Sequence, residues 1–480
     1  MEPMSSTPFE RTQHVAVLGG GPGGYEAALA AAQLGAEVTL VERVGVGGSA
    51  VLTDVVPSKS LIATADAAVA IAEASDLGVQ FYAKGAAGKP LKPEVAINLA
   101  AVNKRLLALA GQQSEDMRST LLESGVRILS GHGRLEGPNA IIVSTGPGGT
   151  DFDRVEADTI VVSVGASPRE LDSAKPDGER ILTWTQLYDM KALPEHLIVV
   201  GSGVTGAEFA SAYMNLGAKV TLISSREQVL PGEDQDAARV LEKVFKRGGM
   251  TVLSKSRANT VERTESGVLV TLSDGRTVEG SHCLMAVGSI PNTADIGLED
   301  AGVELTESGH VRVNKVARTS VPNIYAVGDC TNFFPLASVA SMQGRTAVFH
   351  ALGDIVIPLE KVKITSNIFT APEIATVGWG ENDLEEMDGL VYKLPLAANP
   401  RAKMMGIKDG FVKIIARKGS GTVIGGVIVA PKASELIYPI AVAVERRLTV
   451  DQVSRVFAAY PSLSSSITDA SRAMHLVNIS

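Results

Sequence analysis

Two glycine patterns of one kind restrict the fold of this chain more than any other feature. Residues 14–18 (HVAVL) are a short β-rich run, and Gly19, Gly21 and Gly24 follow as G-x-G-x-x-G. Residues 25–34 are Ala-rich and helical in pattern, residues 37–41 (EVTLV) read as a second strand, and Glu42 stands at its end. The arrangement returns later: strand 197–200, then Gly201, Gly203 and Gly206, a helix through residue 216, and strand 219–223. A lone G-x-G-x-x-G says little, but between a strand and a helix it marks a dinucleotide-binding turn. Gly19 makes the tight turn, Gly21 lets backbone approach a pyrophosphate, and Gly24 lets helix pack on strand. The helix N-terminus offers free N–H groups to the phosphates. Glu42 can accept hydrogen bonds from ribose hydroxyls. Two such units imply two bound dinucleotides and an α/β fold with two Rossmann-like domains.

Length agrees. A single core usually stops growing near about 250–300 residues, so 480 residues imply two or three domains. Net charge is −9 with no long block of like charge, which argues against a nucleic-acid partner. The only cysteines, Cys283 and Cys330, are far apart in sequence, so neither a disulfide framework nor metal-type spacing exists. Both read as small buried hydrophobes, and their scarcity fits a reducing cytoplasm. No apolar run of about 18 residues is expected, hence no stable membrane insertion. Residues 1–10 lack a basic start and an apolar core, and read as a loose tail rather than a signal peptide.

The end of the second fingerprint's second strand bears on nucleotide choice. An NAD site wants an acid there, but this chain has Ser224-Ser225-Arg226. Arg226 can pair with the 2′-phosphate of NADPH, or it is a solvated surface charge.

Residues 47–59, GGSAVLTDVVPSK, resemble the segment that carries the redox-active Cys-x4-Cys pair in flavin-dependent disulfide reductases such as lipoamide dehydrogenase and glutathione reductase. The family pattern is GGTCxxxGCxPSK. Gly47, Gly48 and Pro57-Ser58-Lys59 match it, whereas Ala50 and Val55 stand where the sulfurs would be, and Asp54 replaces a glycine. The resemblance implies FAD at the first fingerprint and NAD(P)H at the second, with Gly48 and Lys59 beside the flavin. It implies that Glu208 lies beside the nicotinamide and pairs with Lys59. Residues 131–133 (GHG) would be a loop whose backbone meets the adenine at Gly133. Residues 164–168 and 288–292 resemble the two crossings between nucleotide domains, at Gly165 and Gly288, with Val164 and Ser289 replacing a Thr and an Arg. Gly328-Asp329 resembles the second FAD fingerprint, with Asp329 on the flavin ribitol, and a helix opening at Ala337 would aim its N-terminus at the flavin. Residues 368–378 (IFTAPEIATVG) match the start of an α+β dimerisation domain, and residues 435–446 and 451–456 read as two of its helices. The family places HPTxSE near the C-terminus, a His base held by a Glu. Here Tyr460 replaces the His and Ser465 the Glu.

Both sulfurs, the base and its carboxylate are thus replaced together, while every part for flavin reduction remains. Over nearly its whole length the chain is similar to the lipoamide-dehydrogenase-like NAD(P)H:quinone reductases of actinobacteria. That implies a homodimeric, cytoplasmic FAD enzyme that passes hydride from NAD(P)H to flavin N5 and then reduces a quinone. Lys59 would order the site through Glu208, place a positive charge near N5, or both. Tyr460 is either a catalytic phenol or a packed interface aromatic. A transhydrogenase or diaphorase, or a non-enzymatic redox sensor or scaffold, are the alternatives. The implied division is 1–166 and 293–365 for FAD, 167–292 for NAD(P)H, and 366–480 for dimerisation.

Overall fold

The computed structural model describes residues 12–82, 91, 95–146 and 149–479, and of residues 476–479 only the backbone. The tail expected at residues 1–10 lies outside the described residues, as does Pro93, where the helical pattern of the sequence over residues 93–123 begins. The chain divides into two compact units. One is Met1–Val56 with Ala108–Ser167 and Ser289–Glu360, and the other is Pro57–Leu107 with Pro168–Gly288 and Lys361–Ser480.

The first unit is built on a five-stranded parallel sheet. Its strands lie in the order Ile324–Ala326, Thr159–Val162, His14–Leu18, Glu37–Glu42 and Arg127–Ser130. The central strands are apolar on both faces because both are covered: Val15 and Val17 pack against helix residues such as Ala27 and Ala347, and Ala16 and Leu18 pack against Leu135, Ile141 and Val143. Helices Pro22–Gln33 and Ala337–Ala351 pack closely on one another, and Gly344 makes this possible: a Cβ there would lie 2.1 Å from Gly23 O. An antiparallel three-stranded sheet, His132–Leu135, Ala140–Thr145 and Asp151–Glu156, completes the unit. In the sequence, the β-rich runs 140–144 and 154–157 flank a Gly-rich turn, and the hairpin that this predicts is present. The loop expected at residues 131–133 is instead part of the strand His132–Leu135, because His132 pairs with Ser144 across the sheet.

The second unit contains a second parallel sheet, in the order Thr251–Leu253, Lys219–Ile223, His196–Val200, His282–Met285 and Ile181–Leu182. It repeats the first down to its side chains. His14 Nε2 meets Thr39 Oγ1 at 3.0 Å, and His196 Nε2 meets Thr221 Oγ1 at 2.8 Å, at the same separation of 25 residues. A five-stranded sheet from Thr365 to Ala430 is antiparallel throughout and carries the C-terminal helices. The single helix expected over residues 435–446 is broken at Ile437 into Ala433–Leu436 and Tyr438–Arg446. Pro439 has no amide hydrogen and so begins a helix better than it continues one.

The sequence shows an Ala-rich helical pattern over residues 63–74, but the helix Val55–Glu73 begins well before it. Pro57 is tolerated because it falls in the first turn, which places Lys59 on a helix. With its neighbours this forms a 30-residue helical run, Gly48–Leu77, that is long and apolar enough by length and composition to cross a membrane. That overturns the reading that no such run exists. The run is apolar because it is Ala-rich, and it carries Lys59 and Asp66. Leu61 and Ala65 from it are fully buried in the core of the second unit with Leu106, Tyr213 and Phe245.

One ion cluster joins the second parallel sheet's domain to the antiparallel sheet. The Lys413 side chain is fully buried, and its Nζ lies 2.7 Å from Asp234, 3.0 Å from Asp236 and 2.9 Å from Glu381. Burial alone would lower the ammonium's pKa, but the hydrogen bonds to these carboxylates outweigh it and hold the pKa above the ordinary lysine value. Breaking such a cluster on one side leaves buried charge uncompensated. Lys413→Met is therefore expected to destabilise the second unit by about 3–5 kcal/mol. Differential scanning calorimetry should show a clearly lower unfolding temperature, and an unchanged one would contradict this account.

Candidate active site

The first glycine turn is shaped by contacts that only glycine permits. Gly19 has φ +99°, and a Cβ there would lie 2.3 Å from Ser163 O. A Cβ on Gly24 would lie 1.9 Å from Gly19 O, whereas one on Gly21 would meet nothing within 4 Å. Gly24 thus serves helix packing, and Gly21 leaves open space over the helix start. The second turn repeats this: Gly201 (φ +112°) abuts Ala286 O, Gly206 abuts Gly201 O, and Gly203 is open.

Residues 47–48 are fastened to the first turn. Gly47 N donates to Gly20 O at 2.7 Å, and a Cβ on Gly48 would sit 3.0 Å from Gly21 Cα. Ala50 lies in the short helix Gly48–Leu52, and Val55 opens the next helix with its side chain exposed. Glu42 Oε2 accepts from Gly20 N at 2.6 Å, and Oε1 accepts from Val44 N and Gly45 N. The carboxylate is thereby fixed at the mouth of the turn.

The groups of a dinucleotide fit this frame. Helices Pro22–Gln33, Val204–Asn215 and Ala337–Ala351 all begin without a side-chain cap, so their first N–H groups are free for an anionic or carbonyl ligand. Asp329 sits in the short turn Gly328–Cys330, and burial pushes its carboxyl above the usual range. Among the described residues its carboxylate has no hydrogen-bond partner, which suits an acceptor waiting for a ligand hydroxyl. Three assigned glycines have structural reasons as well. A Cβ on Gly133 would strike Leu18 at 2.5 Å, so that glycine serves sheet packing. Gly165 and Gly288 both adopt positive φ, and their carbonyls accept from Asn292 N and Arg169 N.

Within the second unit, three distant segments meet at Glu208. Its Oε2 accepts from Lys59 Nζ at 2.7 Å, and its Oε1 accepts from Phe369 N at 2.8 Å. Lys59 Nζ also stands 4.9 Å from the centre of the Phe369 ring. The pairing that the resemblance implies is present, with Phe369 as a third member that the sequence reading passed over. Phe369 belongs to the matched stretch 368–378, but a backbone N–H is not announced by a side-chain pattern.

Tyr460 stands apart from this knot. Its side chain is 79% exposed and makes no hydrogen bond among the described residues. Its loop is nevertheless pinned, because Asn399 Nδ2 donates to Ser462 O, Ser465 Oγ and Ser466 Oγ. Ser465 therefore does not stand in for a carboxylate; it caps its own loop by donating to Ser462 O at 2.9 Å. Arg226 is exposed, and among the described residues its guanidinium has no partner. No cluster of three or more His, Cys, Asp or Glu suits a metal among the described residues.

Comparisons with known proteins agree with this frame. Residues 13–344 match the model of the pyridine nucleotide-disulphide oxidoreductase family, and residues 364–471 match that family's dimerisation domain. The chain is 49% identical over 468 residues to an NAD(P)H dehydrogenase (quinone) of Mycobacterium tuberculosis, covering 95% of this chain and 93% of that one. It is 32% identical to a dihydrolipoyl dehydrogenase of Geobacillus stearothermophilus, covering 93% of each. The crystal structure of LpdA from M. tuberculosis superposes with a TM-score of 0.90 at 47% identity, over 96% of this chain and all of that one. The Escherichia coli flavoprotein disulfide reductase RclA shares the fold, with a TM-score of 0.82 at 22% identity over 96% of this chain and 99% of that one.

Two variants probe the site. Glu208→Gln keeps the acceptor for Phe369 N but removes the charge that holds Lys59. Loss of the flavin's yellow absorbance on anaerobic NAD(P)H addition is expected to slow about 10- to 100-fold, and an unchanged rate would remove Glu208 from catalysis. Asp329 gives a pH signature. Its folded carboxyl ionises at a higher pH than in the unfolded chain, so the apoprotein loses stability as pH rises through the folded value. Asp329→Asn apoprotein should therefore unfold at a higher temperature than wild type at neutral pH, with the gap closing below about pH 4. A gap that does not change with pH would count against it.

Proposed function

Since this chain belongs to the pyridine nucleotide-disulphide oxidoreductase family, whose cofactors are FAD and NAD(P)H, we propose that it is an NAD(P)H:quinone oxidoreductase that works without a redox disulfide. The observation that carries this reading is Ala50 and Val55 at the two sulfur positions of an otherwise intact frame. Cys283 and Cys330 cannot replace the missing pair. Both are fully buried, and burial raises both thiols, Cys330 to about 11. Disulfide exchange needs a thiolate within reach, and none is supplied.

FAD, when bound, supplies a two-electron carrier between a nicotinamide and a second substrate. The chain's own residues prepare for that transfer. Glu208 fixes the Lys59 ammonium, a positive charge that would stabilise the negative charge of a reduced flavin held beside it. Uncapped helix N-termini supply further positive ends without titrating. With Ser224 where an acid would repel a 2′-phosphate, and Arg226 unpaired, both NADH and NADPH serve as donors.

The acceptor replaces the disulfide. Ala50 and Val55 leave a small apolar surface, and Tyr460 offers a ring and a hydroxyl that suit a flat dicarbonyl such as a quinone. The 49% identical relative that is named as a quinone reductase supports this class. The working form is a homodimer, in line with the dimerisation-domain match and with the exposed Val456 and Phe457 beside the Tyr460 loop.

The test is direct. Anaerobic holoenzyme should lose its yellow absorbance with NADH or NADPH at comparable kcat/KM and recover it with a quinone such as menadione, with no turnover of lipoamide or glutathione disulfide. Recovery only on oxidised nicotinamide would mean a transhydrogenase, and no loss at all would mean a redox scaffold. Tyr460→Phe is expected to lower quinone kcat/KM several-fold while leaving the reductive half-reaction alone, and unchanged quinone turnover would remove the hydroxyl from the chemistry.

A further inference from the structure

The mouths of the two glycine turns match in spacing and differ in charge. In the first, Glu42 lies 22 residues after Gly20 and accepts its N–H at 2.6 Å. In the second, Ser224 lies 22 residues after Ser202, and the two hydroxyls meet at 2.7 Å. Ser224 therefore occupies the acid's place and ties the strand end to the turn, as Glu42 does. Ser224 Oγ also accepts from Arg226 N at 3.2 Å, which sets the course of the loop that carries the arginine.

An acid is still present nearby. Glu227 is exposed, one residue beyond Arg226, and left alone it would repel a phosphate. Lys255 Nζ pairs with it at 2.7 Å. Lys255 arrives from the neighbouring strand Thr251–Leu253, and its own N–H donates to Arg226 O at 2.8 Å. Ser224 N donates to Leu253 O at 2.9 Å, and Ser256 N donates to Ser224 O at 2.8 Å. Two loops are thus laced together with Arg226 and Lys255 side by side in the backbone. Lys255 has φ +52°, in the left-handed region that disfavours a residue with a Cβ. Glycine would make this turn without steric conflict. The side chain, rather than the turn, accounts for a lysine at this position.

We propose that Lys255 is a specificity-determining residue of the nucleotide site. With Arg226 it forms a two-cation seat for the 2′-phosphate of NADP(H), and its pairing with Glu227 neutralises a carboxylate that would otherwise repel that phosphate. The inference rests on the reading of Arg226 as a 2′-phosphate contact. A nucleotide lacking the phosphate meets neither requirement, because Ser224 and Ser202 do not depend on Lys255.

Lys255→Gly tests this without straining the fold, since glycine accepts the same φ. Calorimetric binding of adenosine 2′,5′-bisphosphate and of 5′-AMP to the oxidised holoenzyme gives a readout independent of turnover. Lys255→Gly should weaken the bisphosphate about tenfold and change 5′-AMP less than about twofold. Adding Glu227→Gln to it should recover part of the loss. Arg226→Ala should weaken the bisphosphate as well. If Arg226→Ala weakens it and Lys255→Gly does not, the role of Lys255 is overturned while that of Arg226 stands. If Arg226→Ala has no effect, both fall. Equal weakening of both probes by Lys255→Gly would mark Lys255 as structural and overturn the proposal.

Discussion

The site depends on one buried carboxylate. Glu208 follows the second glycine turn on the helix Val204–Asn215, Lys59 comes from the helix after the glycine pair, and Phe369 opens the antiparallel domain. A carboxylate withdrawn from water is unfavourable unless both oxygens are satisfied. Here one oxygen takes an ammonium and the other a backbone N–H, and the ammonium also rests against the Phe369 ring. Neither Glu208 nor Lys59 can be truncated alone without leaving a polar group unpartnered, whereas the Phe369 N–H survives any change of its side chain except to proline. The same geometry fixes a positive charge in a reproducible place, which joins stability to chemistry.

Around that knot the chain uses one nucleotide unit twice and then makes the copies differ. The shared parts are those that any dinucleotide needs: the tight first glycine, the open second one, the third that lets helix meet strand, and a His–Thr tie across the first two strands. The differing parts select. Glu42 puts a carboxylate at the mouth of the first turn, whereas Ser224 puts a neutral hydroxyl at the mouth of the second, and on the proposed reading this difference is what admits a 2′-phosphate there. Charge at the end of one strand is thus tuned separately from the fold that presents it.

Much of this was legible in the sequence because it lives in short local patterns. The strand–turn–helix units and the opening of the dimerisation domain each follow from a few adjacent residues. What was not legible arises from pairings between distant ones. The strand at His132 needs Ser144 across the sheet, whereas the break at Ile437 follows from Pro439 and was open to reading. Lys255 gave no signal at all, since only folding brings it to Arg226 and Glu227. The helical run Gly48–Leu77 was missed as an apolar segment because alanines, not large aliphatic residues, make it apolar. Phe369 was read as part of a motif, yet its contribution to the knot is a backbone N–H that no side-chain pattern reveals.

The central claim is that electrons leave this protein from its flavin and from no sulfur. Anaerobic reductive titration counts the carriers directly. A disulfide reductase of this family stores about two electrons on flavin and about two more in its cysteine pair. The account predicts full reduction of the bound flavin at about two electrons per FAD, without the charge-transfer band that a thiolate beside oxidised flavin produces. Uptake of about four electrons per FAD, with such a band, would contradict it.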